Sequence, residues 1–179
     1  MTTFVSHLES ALDGTRFAAG QVHTVHQGRP LWVRYDLAAV RRAVTPDTFA
    51  ARPPTMWRYR ELLPLPPDAA PVTLEETTTP LVPCPALGRA LGLKRLFVKD
   101  ESRLPTGSFK SRGMTAAVSM ARQLGLRRLA IPTAGNAGGA LAAYGARAGM
   151  EVFVFMPEDT PVINQIEAHL AGEIGRAHV

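Results

Sequence analysis

Five apolar residues, Val152 to Met156, follow one another without interruption in "EVFVFMP", and no other stretch restricts the fold as much. A strand exposed on one face would alternate, so an unbroken run predicts a strand covered by helices on both faces, as in a parallel sheet. The flanks agree. Before it, "NAGGALAAYGARAG" reads as a helix with Gly149 just past its end, preceded by a strand in "RLAIPTA". After it, "TPVINQIEAHLAG" predicts a helix with Thr160 as N-cap and Pro161 at the first helical position. Further upstream, "RLFVKDE" is a short apolar run that reads as a strand. A helix is expected from about Phe109 to Leu124, stopped by Gly125. Its Met114, Ala117, Val118, Ala121 and Leu124 share one face at the helical period. Strand and helix three times over predict the α/β class: a parallel sheet with flanking helices and right-handed crossovers.

The first 50 residues are mixed. "LWVRYDL" suggests a short strand and "DLAAVRRAV" a helical stretch closed near Pro46. His23 and His26 lie between Gly20 and Gly28 with no third ligand in reach, so they read as a surface pair and no metal is expected. From Pro53 to Pro85 the density of proline favours extended chain and turns. Within it, "MWRYREL" suggests one or two helical turns, with Trp57 and Tyr59 as packing anchors. The organisation expected is an N-terminal segment with a proline-rich connection over 1–72, then a regular region over 73–172.

A chain of 179 residues suits one domain, or one plus part of another, and 46% hydrophobic residues suffice for a core. The net charge of +5 comes from scattered arginines such as Arg34, Arg41 and Arg58 without a basic run, which argues against nucleic acid as a partner. One cysteine, Cys84, excludes an intrachain disulfide, and its setting between two prolines reads as a small buried thiol. The N-terminus lacks an apolar run behind a basic start, and no stretch reaches the roughly 18 apolar residues of a membrane helix. A soluble, cytoplasmic protein with no membrane partner is expected.

In parallel sheets, ligands bind beyond the carboxyl ends of the strands, where helices begin. Two glycine-rich turns stand there: "PTGSFKSRG" and "PTAGNAGGA". Neither is a familiar phosphate loop. Phe109 replaces the glycine that must precede the lysine of a P-loop, and Gly135, Gly138 and Gly139 are misspaced for a dinucleotide fingerprint. Lys110 stands out chemically. Only Lys94, Lys99 and Lys110 are lysines among 20 cationic residues, so arginine serves nearly everywhere that charge alone is wanted. A lysine amine can lose its proton and act as nucleophile or base, which arginine cannot. Beside a helix N-terminus the macrodipole works against positive charge, and a neutral amine attacks aldehydes. The setting favours Schiff-base chemistry with an anionic cofactor against the helix ends.

Taken together, "KDESRLPTGSFKSRGMTAAVSMARQLG" and "IPTAGNAGGALAAYGARAGMEVFVFMP" resemble the pyridoxal-phosphate enzymes of the tryptophan-synthase-β fold type (fold type II), and among them most closely the threonine synthases. The resemblance is specific over about 73–172 and looser over "RPLWVRYDL" and "FAARPPTMWRYRELLP". It implies an incomplete fold-type-II enzyme with pyridoxal 5'-phosphate as cofactor. It also implies a lyase activity converting O-phospho-L-homoserine and water to L-threonine and phosphate, absent from the fragment itself. Lys110 corresponds to the lysine that binds the cofactor covalently and moves protons at the substrate Cα and Cβ. Asn136, 26 residues later, corresponds to the asparagine bonded to the cofactor ring hydroxyl. Thr133, Ala134, Gly135, Asn136 and Ala137 correspond to the turn that holds the substrate α-carboxylate, a placement that suits backbone N–H groups at a helix start. The partner implied is a small amino-acid substrate, and a homodimer is compatible with the family. Serine and threonine dehydratases share the lysine and the asparagine turn and stay open as the alternative, as does a non-catalytic relative.

The chain departs from the family pattern at several places. Where relatives read "TLGEGxTPL", it reads "TLEETTTPL", so Glu75 and Thr77 stand for glycines and any positive φ there would be strained. Ser111 replaces an aspartate and Leu104 an asparagine. The family's glycine-rich loop for the cofactor phosphate and the group facing the pyridine nitrogen belong downstream of this sequence. The last seven residues, Glu173 to Val179 ("EIGRAHV"), can be encoded by the read-through of a common sequencing adapter, so they are expected to be non-native.

Overall fold

The computed structural model describes residues 3–172 and the backbone of 175–178, so the expected non-native stretch at 173–179 lies partly outside the described residues. Strand β1 (Val5–Ser10) pairs antiparallel with β2 (Arg16–Phe17) on one side. On its other side it pairs with β4 (Arg29–Tyr35), which carries β3 (Val25–His26) at its far edge, giving the order β2-β1-β4-β3. Two short helices follow. Asp36 caps α1 (Leu37–Ala43) by accepting from Ala39 N at 2.8 Å, and Thr45 with Thr48 forms a capping box on α2 (Pro46–Ala50). Both caps satisfy N–H groups that a helix start leaves free. Met56–Leu62 is a 3-10 helix, in accord with the one or two turns expected there.

The strand expected in "RLFVKDE" forms, but not in the parallel sheet. β6 (Phe97–Lys99) pairs antiparallel with β5 (Leu81–Pro83), which the proline-rich reading left without regular structure. Helix α3 (Pro85–Ala90) connects them, with Cys84 half-buried at its N-cap. The correction has a physical cause: three apolar residues define a strand but not its partner, and the nearest extended segment takes it.

Beyond this pair lie α4 (Lys110–Gln123), β7 (Arg128–Pro132), α5 (Asn136–Ala148), β8 (Glu151–Met156), α6 (Val162–Leu170) and β9 (Gly175–His178). β7, β8 and β9 form a parallel sheet in that order. Gly125 and Gly149 take the left-handed φ of +76° and +67° that ends α4 and α5. At α6 the expectation shifts by one residue. Pro161 (φ −51°, ψ 131°) is the N-cap, and the Thr160 hydroxyl, buried and without a partner, caps nothing.

The unbroken run of β8 is covered on one face rather than two. Val152, Val154 and Met156 are fully buried, whereas Phe155 is 37% exposed and Phe153 half-buried. Helix α5 makes the close contact on the buried side. A Cβ at Gly145 would stand 2.2 Å from Val152 Cγ2, and one at Gly138 would stand 2.8 Å from Val154 Cγ1.

Helix α4 also departs from expectation. Of the five residues placed on its apolar face, Val118 and Ala121 are buried, but Ala117 is exposed and Met114 and Leu124 are half-buried. A cavity of about 420 Å³ lies between that stripe and β1 and β4. The fully buried positions include Ser111, Thr115 and Ser119, all hydroxyls. Ser119 Oγ accepts from Val72 N at 2.8 Å, and Thr115 Oγ1 donates to Val72 O at 2.6 Å while accepting from Trp57 Nε1 at 3.2 Å. Val72 lies in no strand, so the helix supplies the hydrogen bonds that its buried peptide groups need. Trp57 is thereby an anchor, whereas Tyr59 is 44% exposed and leans on Phe49.

The hydrophobic core runs from Val72 through Val118, Leu141, Tyr144 and Val152 to Ala168. Among the described residues, no helix is long and apolar enough to cross a membrane.

Candidate active site

Two helix starts carry the residues picked out by sequence. The first follows the 3-10 turn Glu101–Arg103. Leu104 is buried, and Gly107 adopts φ +62° as its N–H returns to Leu104 O at 2.8 Å. That left-handed residue tightens the turn enough for Thr106 to meet Ser111. The Thr106 N–H donates to Ser111 Oγ at 3.2 Å, and the two hydroxyls are 2.7 Å apart. Ser111 thus binds the turn that precedes it.

Lys110 opens α4 and is half-buried. Its Nζ lies 4.3 Å from the centroid of the Phe109 ring, which is 60% exposed. Ser108, two residues earlier, has its hydroxyl buried with no partner.

Arg112 turns to the 3-10 turn that follows β6. Its Nε donates to Glu101 Oε2 at 2.6 Å and its Nη2 to Glu101 Oε1 at 3.0 Å, and Thr79 Oγ1 also donates to that carboxylate. The Arg112 guanidinium is the main cause that holds the Glu101 carboxyl down at about 2. Partial burial opposes it and the Thr79 hydroxyl assists. Behind it, the fully buried Glu76 accepts from Leu74 N at 2.9 Å, from Thr73 Oγ1 at 2.7 Å and from the Tyr144 hydroxyl.

The second start is the turn Thr133–Ala137. Thr133 N donates to Phe155 O at 2.9 Å, continuing the β7–β8 ladder, and Thr133 Oγ1 accepts from Gly135 N at 3.2 Å. Ala134 O accepts from Asn164 Nδ2 at 3.3 Å. Gly135, at the N-cap, has no side chain with which to cap α5, so the first-turn N–H groups of Asn136 and Ala137 are left for another acceptor. Asn136 is exposed and opens α5. α4 and α5 pack side by side, so the structure brings the two helices together, but no hydrogen bond joins the Lys110 and Asn136 side chains.

Sequence reasoning missed Glu101, Arg112, Thr79, Ser108, Glu76 and Tyr144. One signal was present: Glu101 and Arg112 are opposite charges on either side of a glycine turn. The buried pair Glu76 and Tyr144 is 68 residues apart and left no local sign.

The chain is 39% identical to the threonine synthase of Methanosarcina acetivorans, over 75% of this chain and 32% of that protein. It is 37% identical to the threonine synthase of Methanocaldococcus jannaschii, over 81% of this chain and 36% of that protein. The chain therefore spans about a third of the length of these relatives. Among solved structures, it is similar to a pyridoxal 5'-phosphate-dependent aspartate racemase, with a TM-score of 0.52 and 30% identity over 56% of this chain and 32% of that one. Escherichia coli diaminopropionate ammonia lyase, at 21% identity, shares the fold with a TM-score of 0.54, over 60% of this chain and 33% of that one. Residues 72–174, more than half of the chain, match the family described as pyridoxal-phosphate dependent enzyme, and the chain belongs to that family.

Proposed function

We propose that this chain is the N-terminal part of a threonine synthase, which converts O-phospho-L-homoserine and water to L-threonine and phosphate. The observation that carries the reading is Lys110 at the first position of α4, on a turn fixed by its neighbours, in a helix packed against α5, whose own start lacks a side-chain cap. The identity to threonine synthases supports the choice of substrate. Residues 1–72 are then an N-terminal segment, and 73–172 the first part of the catalytic region, with its parallel sheet and flanking helices. The enzyme is cytoplasmic, takes a small amino-acid substrate and is compatible with a homodimer.

The residues present fit the cofactor. Ser108 keeps a buried hydroxyl without a partner, and α5 presents N–H groups at an uncapped N-terminus, a setting that suits an anion. Pyridoxal phosphate, when bound, supplies the electron sink for loss of a proton from carbon. Lys110 would hold it through the amine and would carry the proton at Cα and then at Cβ. Asn136 would be the side chain for the ring hydroxyl. The turn Thr133, Ala134, Gly135, Asn136 and Ala137 binds the α-carboxylate through its N–H groups, and Gly138, where a Cβ would strike Val154, keeps α5 close against β8.

The test is full-length protein incubated with phosphohomoserine, with threonine and phosphate both assayed. Formation of a keto acid from serine or threonine instead would assign a dehydratase. Lys110→Arg keeps the charge and removes the nucleophile and the base together, so turnover should fall by about three orders of magnitude or more. Activity within tenfold of wild type would overturn the role given to Lys110.

A further inference from the structure

Three consecutive side chains leave the first turn of α4 in three directions. Helical residues step about 100° round the axis, so Lys110 and Arg112 point about 200° apart, with Ser111 between them. Ser111 turns inward to Thr106, its hydroxyl 2.7 Å from Thr106 Oγ1. Arg112 turns to the 3-10 turn that follows β6, where both arms of its fork meet Glu101 at 2.6 and 3.0 Å. Glu101 is itself held by Thr79, just before β5, and Thr79 O accepts from Lys99 Nζ at the end of β6 at 2.8 Å, so the acceptor of the fork is tied to the chain entering β5 and to β6. With two directions taken, the rotation of the first turn is settled. Lys110 leaves on the remaining side, beside exposed Phe109.

We propose that Arg112, through its two-armed pair with Glu101, is a positioning residue for Lys110: it sets the rotation of the first turn of α4 and hence where the lysine amine reaches. The inference rests on the role given above to Lys110. The geometry explains an arginine at 112. A planar fork matched to a carboxylate resists rotation, whereas an ammonium on a flexible stem keeps the charge and lets the helix turn. The pair is also sheltered, with 29% of the Arg112 side chain and 21% of the Glu101 side chain exposed. By contrast the Arg128–Glu151 pair, 76% and 44% exposed, makes a single contact between β7 and β8 and serves as a matched control.

The experiment compares Arg112→Lys, Glu101→Gln and the control Arg128→Lys in the full-length enzyme. The readouts are kcat and KM for phosphohomoserine, the thermal midpoint, and the visible absorbance of bound cofactor against pH. In apo-protein exposed to pyridoxal phosphate and then borohydride, the share of label on Lys110 rather than Lys94 or Lys99 is also measured. Arg112→Lys and Glu101→Gln should each lower kcat by about tenfold or more, because a misplacement near 1 Å costs on the order of a hundredfold. KM should stay within about threefold, since substrate contacts are untouched. The pH midpoint of the absorbance should move, and the labelled share on Lys110 should fall. The exchange Glu101→Arg with Arg112→Glu should recover part of kcat, and Arg128→Lys should change nothing.

A kcat within about threefold of wild type for both variants would overturn the proposal. A lowered thermal midpoint with absorbance and labelling unchanged would do the same, since that is the signature of a purely structural pair. A wild-type enzyme that does not carry the cofactor on Lys110 would defeat the reading beneath it, and that is seen before any variant is made.

Discussion

The Tyr144 hydroxyl on α5 donates to the Glu76 carboxylate, and both residues are 0% exposed. Burial, and then the bond and the charge of Glu76, push the Tyr144 phenol well above its ordinary range, so it stays a donor through alkaline pH. Leu74 N shares Glu76 Oε1 with the Tyr144 hydroxyl, and Thr73 Oγ1 donates to Oε2. Tyr144→Phe keeps the ring in the core and removes one of the two donors to Oε1. Losing one hydrogen bond to a buried charged group costs about 1.5–3 kcal/mol, which urea denaturation should show as a lower midpoint at constant slope. An unchanged midpoint would mean that water reaches Glu76.

Glu101 gives a pH dependence with a defined sign. Its carboxyl lies at about 2 in the folded chain, against 4.5 when unperturbed, chiefly because Arg112 binds its charged form. A depressed carboxyl contributes stability that is complete above the unfolded value and is lost as pH falls through the folded one. The loss should therefore fall between about pH 4.5 and pH 2. Glu101→Gln should be less stable than wild type at neutral pH, with the difference narrowing across that window in thermal melts. A difference that is constant from pH 7 to pH 2 would show that the charge of Glu101 contributes nothing.

Glu75 is a non-glycine residue at φ +68°, a left-handed conformation that favours glycine. Its N–H donates to Thr73 Oγ1 at 2.9 Å, a bond that any residue can make, and its side chain is exposed. The left-handed region costs an L-residue roughly 1–2 kcal/mol, and the extra freedom of glycine in the unfolded chain returns about half of that. Glu75→Gly should thus raise the denaturation midpoint by the equivalent of about 0.5–1 kcal/mol. A decrease would show that the Glu75 side chain makes a contribution larger than the strain.

Two glycines in helices should respond in opposite ways to alanine. At Gly145 a Cβ would stand 2.2 Å from Val152 Cγ2, on a β-branched side chain that is fully buried. Overpacking there should cost about 1–3 kcal/mol. At Gly113 nothing lies within 4 Å, and Gly113→Ala should stabilise α4 by about 1 kcal/mol through helix propensity alone. Equal effects of the two substitutions would contradict the close approach of α5 to β8.

Legibility in the sequence followed the range of the interactions. Gly125, Gly149 and the two glycine turns act on their own neighbours, and each was readable where it stands. The hydroxyls of Thr115 and Ser119 were not, because they serve Val72, a residue more than 40 positions away with no strand of its own. The same holds for β6, whose apolar residues announced a strand while β5, hidden among prolines, decided its partner. Phe155 misled for a related reason. An unbroken apolar run cannot distinguish a strand sheathed on both faces from one with a half-open face. At the candidate site, the helix starts at Lys110 and Asn136 were legible from the glycine turns, while the pairing of Arg112 with Glu101 became visible only in three dimensions.

The hydrophobic core begins at Val72, and among the described residues none before it joins the cluster, although Val40 and Leu65 are buried elsewhere. The N-terminal sheet meets α4 across a cavity, and Val25, Trp32 and Val33 stay exposed on its strands. Opening that sheet therefore uncovers little apolar surface, whereas opening β8 or α5 breaks the core itself. In deuterated water the amides of β1 and β4 will exchange through a local opening, and those of β8 and α5 only when the whole unit unfolds. The helix that begins at Lys110 places Val118 and Ala121 in that core and should exchange slowly with it, so Lys110 sits on a base that fluctuations of the N-terminal third leave undisturbed.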